Sequence, residues 1–178
     1  MTCIVGMIEN GKTVIGADSA GIRSHDVRIV THPKVFKVGE FVIGATSSFR
    51  MMQLLRYSLK LPDIKDKEIF EYMCTDFVDA VRECFKIGGY EGETKDKFEG
   101  GTFLIGYKDR LFTMQLTFQV MEYLDKISAV GSGEEYSLGA IYAVKDLKLT
   151  IEEKLTIGLE TASKWTTTVH PPFHFEST

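Results

Sequence analysis

The sequence predicts one α+β domain over residues 1–178, a four-layer α/β/β/α sandwich of two antiparallel sheets. Two observations carry this expectation. Segments follow one another as strands, two helices, strands, two helices, with no repeat, linker or low-complexity stretch among them. The helical segments carry apolar residues at three- and four-residue spacing, and helices laid on the outer faces of two packed sheets bury all such stripes at once. The length and a composition of 44% hydrophobic and 26% charged residues suit a single core.

The elements are justified in order. Residues 2–9 and 12–18 are strand-like, and Asn10-Gly11 between them is a strong two-residue hairpin signal. A polar stretch follows, and then residues 35–38 and 41–45 form a second apolar pair across Gly39-Glu40. Ser47 and Ser48 offer N-cap oxygens to a helix marked by Met51, Leu54, Leu55, Ser58 and Leu59, with Pro62 soon after its end. Ile69, Met73, Phe77, Val81 and Phe85, four residues apart, place one packing stripe on a long helix over about residues 65–87. The glycine-bearing, charged residues 88–101 read as an exposed loop, and 102–107, 111–116 and 120–123 as strands of a second sheet. Gly131-Ser132-Gly133 leads into a helix through Tyr136 and Ala140, another helix covers about 150–164, and Pro171-Pro172 ends helical structure.

Composition narrows the function. A net charge of -4 with no block of basic residues argues against a nucleic-acid surface. No run approaches the roughly 20 apolar residues of a membrane helix, and no basic segment followed by an apolar one opens the chain, so no membrane partner and a cytoplasmic location are expected. Cys3, Cys74 and Cys84 form no CxxC pair, and His170 and His174 flank the two prolines rather than sharing a helix face, so neither a disulfide framework nor a metal site is expected.

Catalytic chemistry centres on Thr2. A threonine hydroxyl needs a base within reach to act as a nucleophile. Removal of Met1 would give Thr2 a free α-amine, whose reference pKa of about 7.7–8.0 leaves a sizeable neutral fraction near neutrality. Nucleophile and base then share one residue. A lysine ammonium beside such a threonine would favour both neutral amine and alkoxide, and when buried would itself require a carboxylate as counter-charge.

Thr2-Cys3-Ile4-Val5-Gly6, the Asn10-Gly11 turn, Gly16-Ala17-Asp18-Ser19 and Pro33-Lys34-Val35, in that order, resemble proteasome β-subunits and the bacterial HslV peptidase. In those families a terminal threonine is followed by an aspartate sixteen residues on and a lysine sixteen further, the spacing of Thr2, Asp18 and Lys34. The resemblance implies the Ntn-hydrolase fold and a threonine-type peptidase. It also implies that the amide of Ser48, where the families usually have glycine, serves as an oxyanion donor, and that Ser132 of the Gly-Ser-Gly turn bonds the terminal amine. Glu134-Glu135-Tyr136 and the local alignment of Ser163 and Thr166 with the proteasome's late aspartate and serine draw the chain toward HslV, which also lacks that aspartate.

By the same resemblance Gly21, His32, Thr46 and Phe49 line the first specificity pocket, with His25 and His32 in a loop facing the cleft. The carbonyls of Ser163, Thr166 and Val169 are the expected ligands of a monovalent cation, and no other cofactor is required. Homo-oligomeric rings enclosing a chamber, a peptide or protein substrate and an ATP-dependent unfoldase partner are implied, since the chain itself has no Walker motif. Two alternatives stand beside this: a catalytically silent relative kept for assembly or binding, and an amidase using Cys3 after loss of two residues.

Overall fold

The structure, a computed structural model, describes residues 2–24, 26–90 and 100–178. Met1, His25 and most of the expected 88–101 loop lie outside these residues. The end of that loop departs from expectation, because Gly100 and Gly101 are buried rather than exposed.

Strands β1 (Cys3–Glu9) and β2 (Lys12–Ala17) form the opening hairpin. Asn10 and Gly11 both take positive φ, 51° and 75°, the conformation a tight two-residue turn requires. The next segment corrects the sequence expectation. The polar stretch contains a second hairpin, β3 (Ala20–Arg23) and β4 (Asp26–Ile29). Every residue of β4 is exposed, so no buried face leaves a period-two signature. Strands β5 (Val35–Val38) and β6 (Phe41–Ala45) then lead into helix α1 (Phe49–Tyr57), whose N-cap is Ser48.

The long helix begins at α2 (Ile69–Tyr72), not near residue 65, where Lys65 takes a φ of 52°. It passes through a π-helical turn (Met73–Phe77) into α3 (Val78–Ile87). Thr75 Oγ1 donates to the Glu71 carbonyl at 2.7 Å, a side-chain bond that competes with the regular backbone ladder there. The turn also keeps the packing stripe in phase. Four-residue spacing overruns an α-helix by about 40° per step, or about 160° from Ile69 to Phe85, and one inserted residue recovers about 100°. Met73, Phe77, Val81 and Phe85 are all fully buried.

Strands β7 (Phe103–Tyr107), β8 (Arg110–Met114) and β9 (Val120–Glu122) follow. Two further strands were not expected from sequence, β10 (Ile127–Gly131) before helix α4 (Glu134–Val144), and β11 (His174–Ser177) after helix α5 (Ile151–Trp165) and the paired prolines. Strand β10 is short and carries a serine, Ser128, that bonds Thr113 Oγ1 between the sheets at 2.8 Å. In β11 all four residues are half-buried, so the apolar alternation is blunted.

The strands pair as β10-β1-β2-β11 in one sheet and β5-β6-β7-β8-β9 in the other, antiparallel throughout, with β3-β4 standing apart. Ile4, Ile15, Val42, Leu104, Leu111 and Val130 fill the space between the sheets. A second core joins the five-stranded sheet to α1 and the long helix, and a third joins the four-stranded sheet to α4 and α5. The layers are therefore α/β/β/α, held by many fully buried side chains, each worth roughly 1.5–3 kcal/mol of transfer free energy. Lys154 of α5, 1% exposed, reaches Glu9 at 2.8 Å and pins that helix to the far end of β1. Among the described residues no helix is long and apolar enough to cross a membrane.

Candidate active site

The opening hairpin brings its two ends together. Because Ile4 pairs with Ala17, the residues just outside the pairing, Thr2-Cys3 and Asp18, meet at one end of the sheet. Asp18 Oδ1 accepts the Cys3 N–H at 2.9 Å, and Asp18 N–H donates to the Cys3 carbonyl at 3.2 Å. Lys34 enters from the facing sheet, immediately before β5. Its Nζ lies 2.8 Å from Asp18 Oδ1 and 2.8 Å from Thr2 Oγ1.

This cluster is sealed. Asp18 and Lys34 are 0% exposed and Thr2 is 3% exposed. Asp18 Oδ2 also accepts the N–H of Ala20 at 2.8 Å and of His170 at 3.4 Å, so four donors, from Cys3, Ala20, Lys34 and His170, ring the carboxylate. Burial lowers the Lys34 pKa below its ordinary value, and Asp18 opposes that shift by favouring the ammonium. The ammonium therefore sits beside the Thr2 hydroxyl with only Asp18 as a full counter-charge among these contacts, an arrangement that stabilises negative charge developing on Oγ1.

The Gly-Ser-Gly turn wraps the backbone of Thr2. Gly131, the last residue of β10, has a φ of 102°, and a β-carbon there would stand 2.3 Å from the Thr2 carbonyl oxygen. At Gly133 a β-carbon would meet Cys3 Cβ at 2.8 Å. Glycine at both ends lets the turn close on the terminus. Ser132 Oγ consequently lies 3.2 Å from Thr2 N, 3.3 Å from Thr2 O, and 2.7 Å from Thr168 Oγ1.

Thr168 was not anticipated. The sequence comparison had aligned Ser163 and Thr166 with the late polar residues of the similar families, but Ser163 lies within the last turn of α5 and Thr166 is its C-cap. The chain leaves the helix extended at Thr166, with φ -124° and ψ 150°, which carries the hydroxyl that meets Ser132 two residues further on. The run Thr166-Thr167-Thr168 just past the helix end was the available signal. Val169 is buried against the α5 core. Among the described residues no group of three or more His, Cys, Asp or Glu could hold a metal ion.

On the opposite side, Ser47 takes a φ of 69° and Ser48 a φ of -134°. The Ser48 side chain accepts the Arg50 N–H at 3.1 Å as a helix cap, while the Ser48 N–H donates back to the Thr46 carbonyl at 2.9 Å in a three-residue turn. Ser47 Oγ accepts the Thr102 N–H at 3.2 Å and fastens the turn to the segment entering β7. The backbone N–H expected to face an oxyanion is thus engaged within its own turn.

The four residues expected to line one pocket are not gathered into one. Gly21 and Phe49 border an open depression with Arg23, Asp26 and Arg28, and His32 and Phe49 border an adjoining one of about 750 Å³ with Met52 and Arg56. Thr46 lies inward of both, 7% exposed. A β-carbon at Gly131 would stand 3.6 Å from Thr46 Cγ2, which puts Thr46 next to the turn that holds Thr2.

Cys3 is in no position to react. Its side chain is 0% exposed, its Sγ lies 3.0 Å from Ser137 Oγ, and burial pushes the thiol up to about 12.

No protein-family model matches the sequence, and no curated protein matches it. Solved structures do match in shape. BPH from Thiobacillus denitrificans superposes with a TM-score of 0.83 at 22% identity over 99% of this chain and 97% of the other, and the same protein in complex with epoxomicin at 0.84 and 21%. The eukaryotic HslV of Trypanosoma brucei gives 0.70 at 16% identity over 99% and 98% of the two chains. Anbu, an ancestral beta-subunit from Yersinia bercovieri, gives 0.73 at 14% over 99% and 81%. These neighbours are proteasome-type subunits, and the fold of this chain is the Ntn-hydrolase fold.

Proposed function

We propose that this chain is a threonine-type peptidase that cleaves peptide bonds with the Thr2 hydroxyl after Met1 is removed. The observation that carries the reading is the position of Lys34 Nζ, 2.8 Å from both Thr2 Oγ1 and Asp18 Oδ1 inside a sealed cluster. The freed α-amine takes the Oγ1 proton, and Oγ1 attacks the substrate carbonyl. The Lys34 ammonium stabilises the alkoxide as it forms. The Ser48 N–H, released from Thr46, meets the oxyanion. The protonated amine returns its proton to the departing amine of the substrate, leaving an acyl-threonine ester that water hydrolyses with the α-amine again as base.

The neighbouring structures support an assembly of the HslV and Anbu kind, so we extend the reading to homo-oligomeric rings in the cytoplasm with an ATP-dependent unfoldase as partner. Gly21, His32, Thr46 and Phe49 remain the proposed substrate-contacting residues. Carbonyls at the C-terminal end of a helix lack intrahelical partners and carry partial negative charge. The end of α5 at Ser163 and Thr166, continuing to Val169, therefore suits a monovalent cation.

Thr2→Ala should abolish hydrolysis of small fluorogenic peptides while native mass remains that of the parent assembly. Undiminished turnover in that variant ends the reading. The silent-relative alternative draws on one observation, the Ser48 N–H bound to the Thr46 carbonyl at 2.9 Å, and a wild-type protein with no peptidase activity as a correctly processed assembly would favour it. The Cys3 amidase finds no support in the geometry, since the thiol is buried and its own N–H is held by Asp18.

A further inference from the structure

We infer that Arg56 is a positioning residue for Lys34, its guanidinium holding the backbone on either side of the lysine so that Nζ stays against the Thr2 hydroxyl. The inference rests on the reading of Lys34 as the charge that stabilises the Thr2 alkoxide. Its basis is a stretch beside the sealed cluster that strand pairing leaves unsupported.

Lys34 sits where an irregular surface segment becomes β5. Thr31 and His32 are exposed and Pro33 is half-buried, whereas Lys34 is buried. On its C-terminal side the sheet takes over, since the Lys34 carbonyl accepts the Ala45 N–H at 2.9 Å and Val35 pairs with Gly44. Successive carbonyls of a strand alternate in direction, so with Lys34 turned toward β6 those of Pro33 and Val35 face away from it. Strand β5 is at the edge of its sheet, and no neighbouring strand is there to meet them.

Arg56, in the last turn of α1, takes that place. Its Nη2 donates to the Pro33 carbonyl and, at 3.4 Å, to the Val35 carbonyl. Its guanidinium carbon lies 4.5 Å from the centre of the Phe36 ring, which fixes the plane of the fork. Among the described residues no other donor meets the Pro33 carbonyl. One side chain therefore sets the peptide plane that enters Lys34, and with it the direction in which the lysine stem leaves the backbone. Helix α1 thus touches the site at both ends, through Ser48 at its N-cap and Arg56 in its last turn.

Lys34 Nζ has to keep its 2.8 Å contacts with Thr2 Oγ1 and Asp18 Oδ1 together. Asp18 alone holds the ammonium in the cluster without centring it on Oγ1, because a turn of the entering peptide swings the stem about that carboxylate. A displacement of about 1 Å at a reacting centre costs about a hundredfold in rate. The loss falls on the chemical step, since the ammonium acts on Thr2 rather than on the bound substrate.

The test measures kcat and KM on a fluorogenic peptide for the full-length parent, Arg56→Met, Arg56→Lys, Arg56→Ala and Thr2→Ala, each assayed well below its melting temperature. Arg56→Met keeps a long stem without donors and should lower kcat roughly ten- to hundredfold with KM unchanged. Arg56→Lys, with donors but no planar fork, should fall between it and the parent. Arg56 borders the depression of about 750 Å³, which gives a free guanidinium ion access to the place vacated in Arg56→Ala. Guanidinium chloride, far below the concentrations that unfold the protein, should raise kcat in that variant and not in the parent, with sodium chloride inert in both. Parental kcat in Arg56→Met, with Thr2→Ala inactive, would overturn the role of Arg56 and leave the nucleophile intact. A raised KM at parental kcat would overturn it too, because Arg56 would then be a substrate contact. So would a loss in Arg56→Ala that guanidinium does not relieve, since packing rather than the donor would be responsible. Full activity in Thr2→Ala would instead remove the reading on which the inference rests. Should Arg56→Met and Arg56→Ala fail to fold, Arg56→Lys carries the comparison, a lowered kcat at parental KM sustaining the inference and parental kcat overturning it.

Discussion

On the nucleophile side of the site, Asp18 and Lys34 have no exposed surface and hydrogen-bond donors from several segments converge on one carboxylate. On the oxyanion side, Ser47 holds a φ of 69°, Ser48 commits its N–H to the neighbouring Thr46, and Phe49 leaves 44% of its surface open. The first arrangement is preorganised, since its charges are fixed before substrate arrives and its partners come from distant parts of the chain. The second is local. The Ser48 N–H is engaged only two residues back, and the strain in Ser47 lowers the energy needed to release it, while Ser47 Oγ keeps the turn anchored to Thr102. On the function proposed above, the difference means that tertiary structure fixes the nucleophile, while the oxyanion donor is presented when the carbonyl binds.

The largest break in this comparison should come from Lys34→Ala. Removing one member of a buried pair leaves the Asp18 charge uncompensated and destabilises by roughly 3–5 kcal/mol, measurable by denaturant unfolding. Peptide turnover should fall by about 10²–10³ or more, as for loss of one preformed electrostatic contact in a site of this kind. A stable, active alanine variant would show that the sealed cluster is not the source of reactivity.

Gly131→Ala probes the turn that clasps Thr2. A β-carbon 2.3 Å from the Thr2 carbonyl must displace the terminus, and the positive φ adds strain of roughly 1–3 kcal/mol. The variant should lose both stability and turnover. Unaltered kinetics would mean that the placement of Thr2 tolerates movement.

Ser48→Ala should have the smallest effect. It removes the cap bond to Arg50 and lowers stability by about 1 kcal/mol, yet leaves hydrolysis because the proposed donor is the backbone N–H. Loss of turnover with the fold intact would show the hydroxyl itself taking part.

Legibility in the sequence followed the same division. Thr2 and Asp18 could be brought together because Asn10-Gly11 fixes the register of the first hairpin, whereas Lys34, from the facing sheet, was reached only through the spacing of the similar families. Ser132 was reached through the Gly-Ser-Gly turn of the similar families, and the structure supplies the reason for its glycines, which approach Thr2 and Cys3 closely. Thr168 was not, since its place depends on the direction in which the chain leaves α5, and an extended Thr166 carries no side-chain signature. The hairpin of β3 and β4 was hidden for a different reason: Val27 and Ile29 of β4 stay about half exposed, 46% and 51%, so no alternation of burial marks the strand. The π-helical turn was equally silent, being a response to four-residue spacing that reads simply as a helix. Gly21 and His32 border adjoining depressions that share Phe49, a grouping set by the β3–β4 hairpin and the start of α1 rather than by sequence spacing.

The most direct test of the central claim uses epoxomicin, the compound in complex with the Thiobacillus BPH. Native full-length protein is incubated with it and digested with trypsin, and the peptide that ends at Lys12 is analysed by tandem mass spectrometry. The account predicts a peptide that begins at Thr2 and carries the added mass on that residue. A hydrolytically active protein whose first peptide still begins with Met1 and carries no added mass would contradict it.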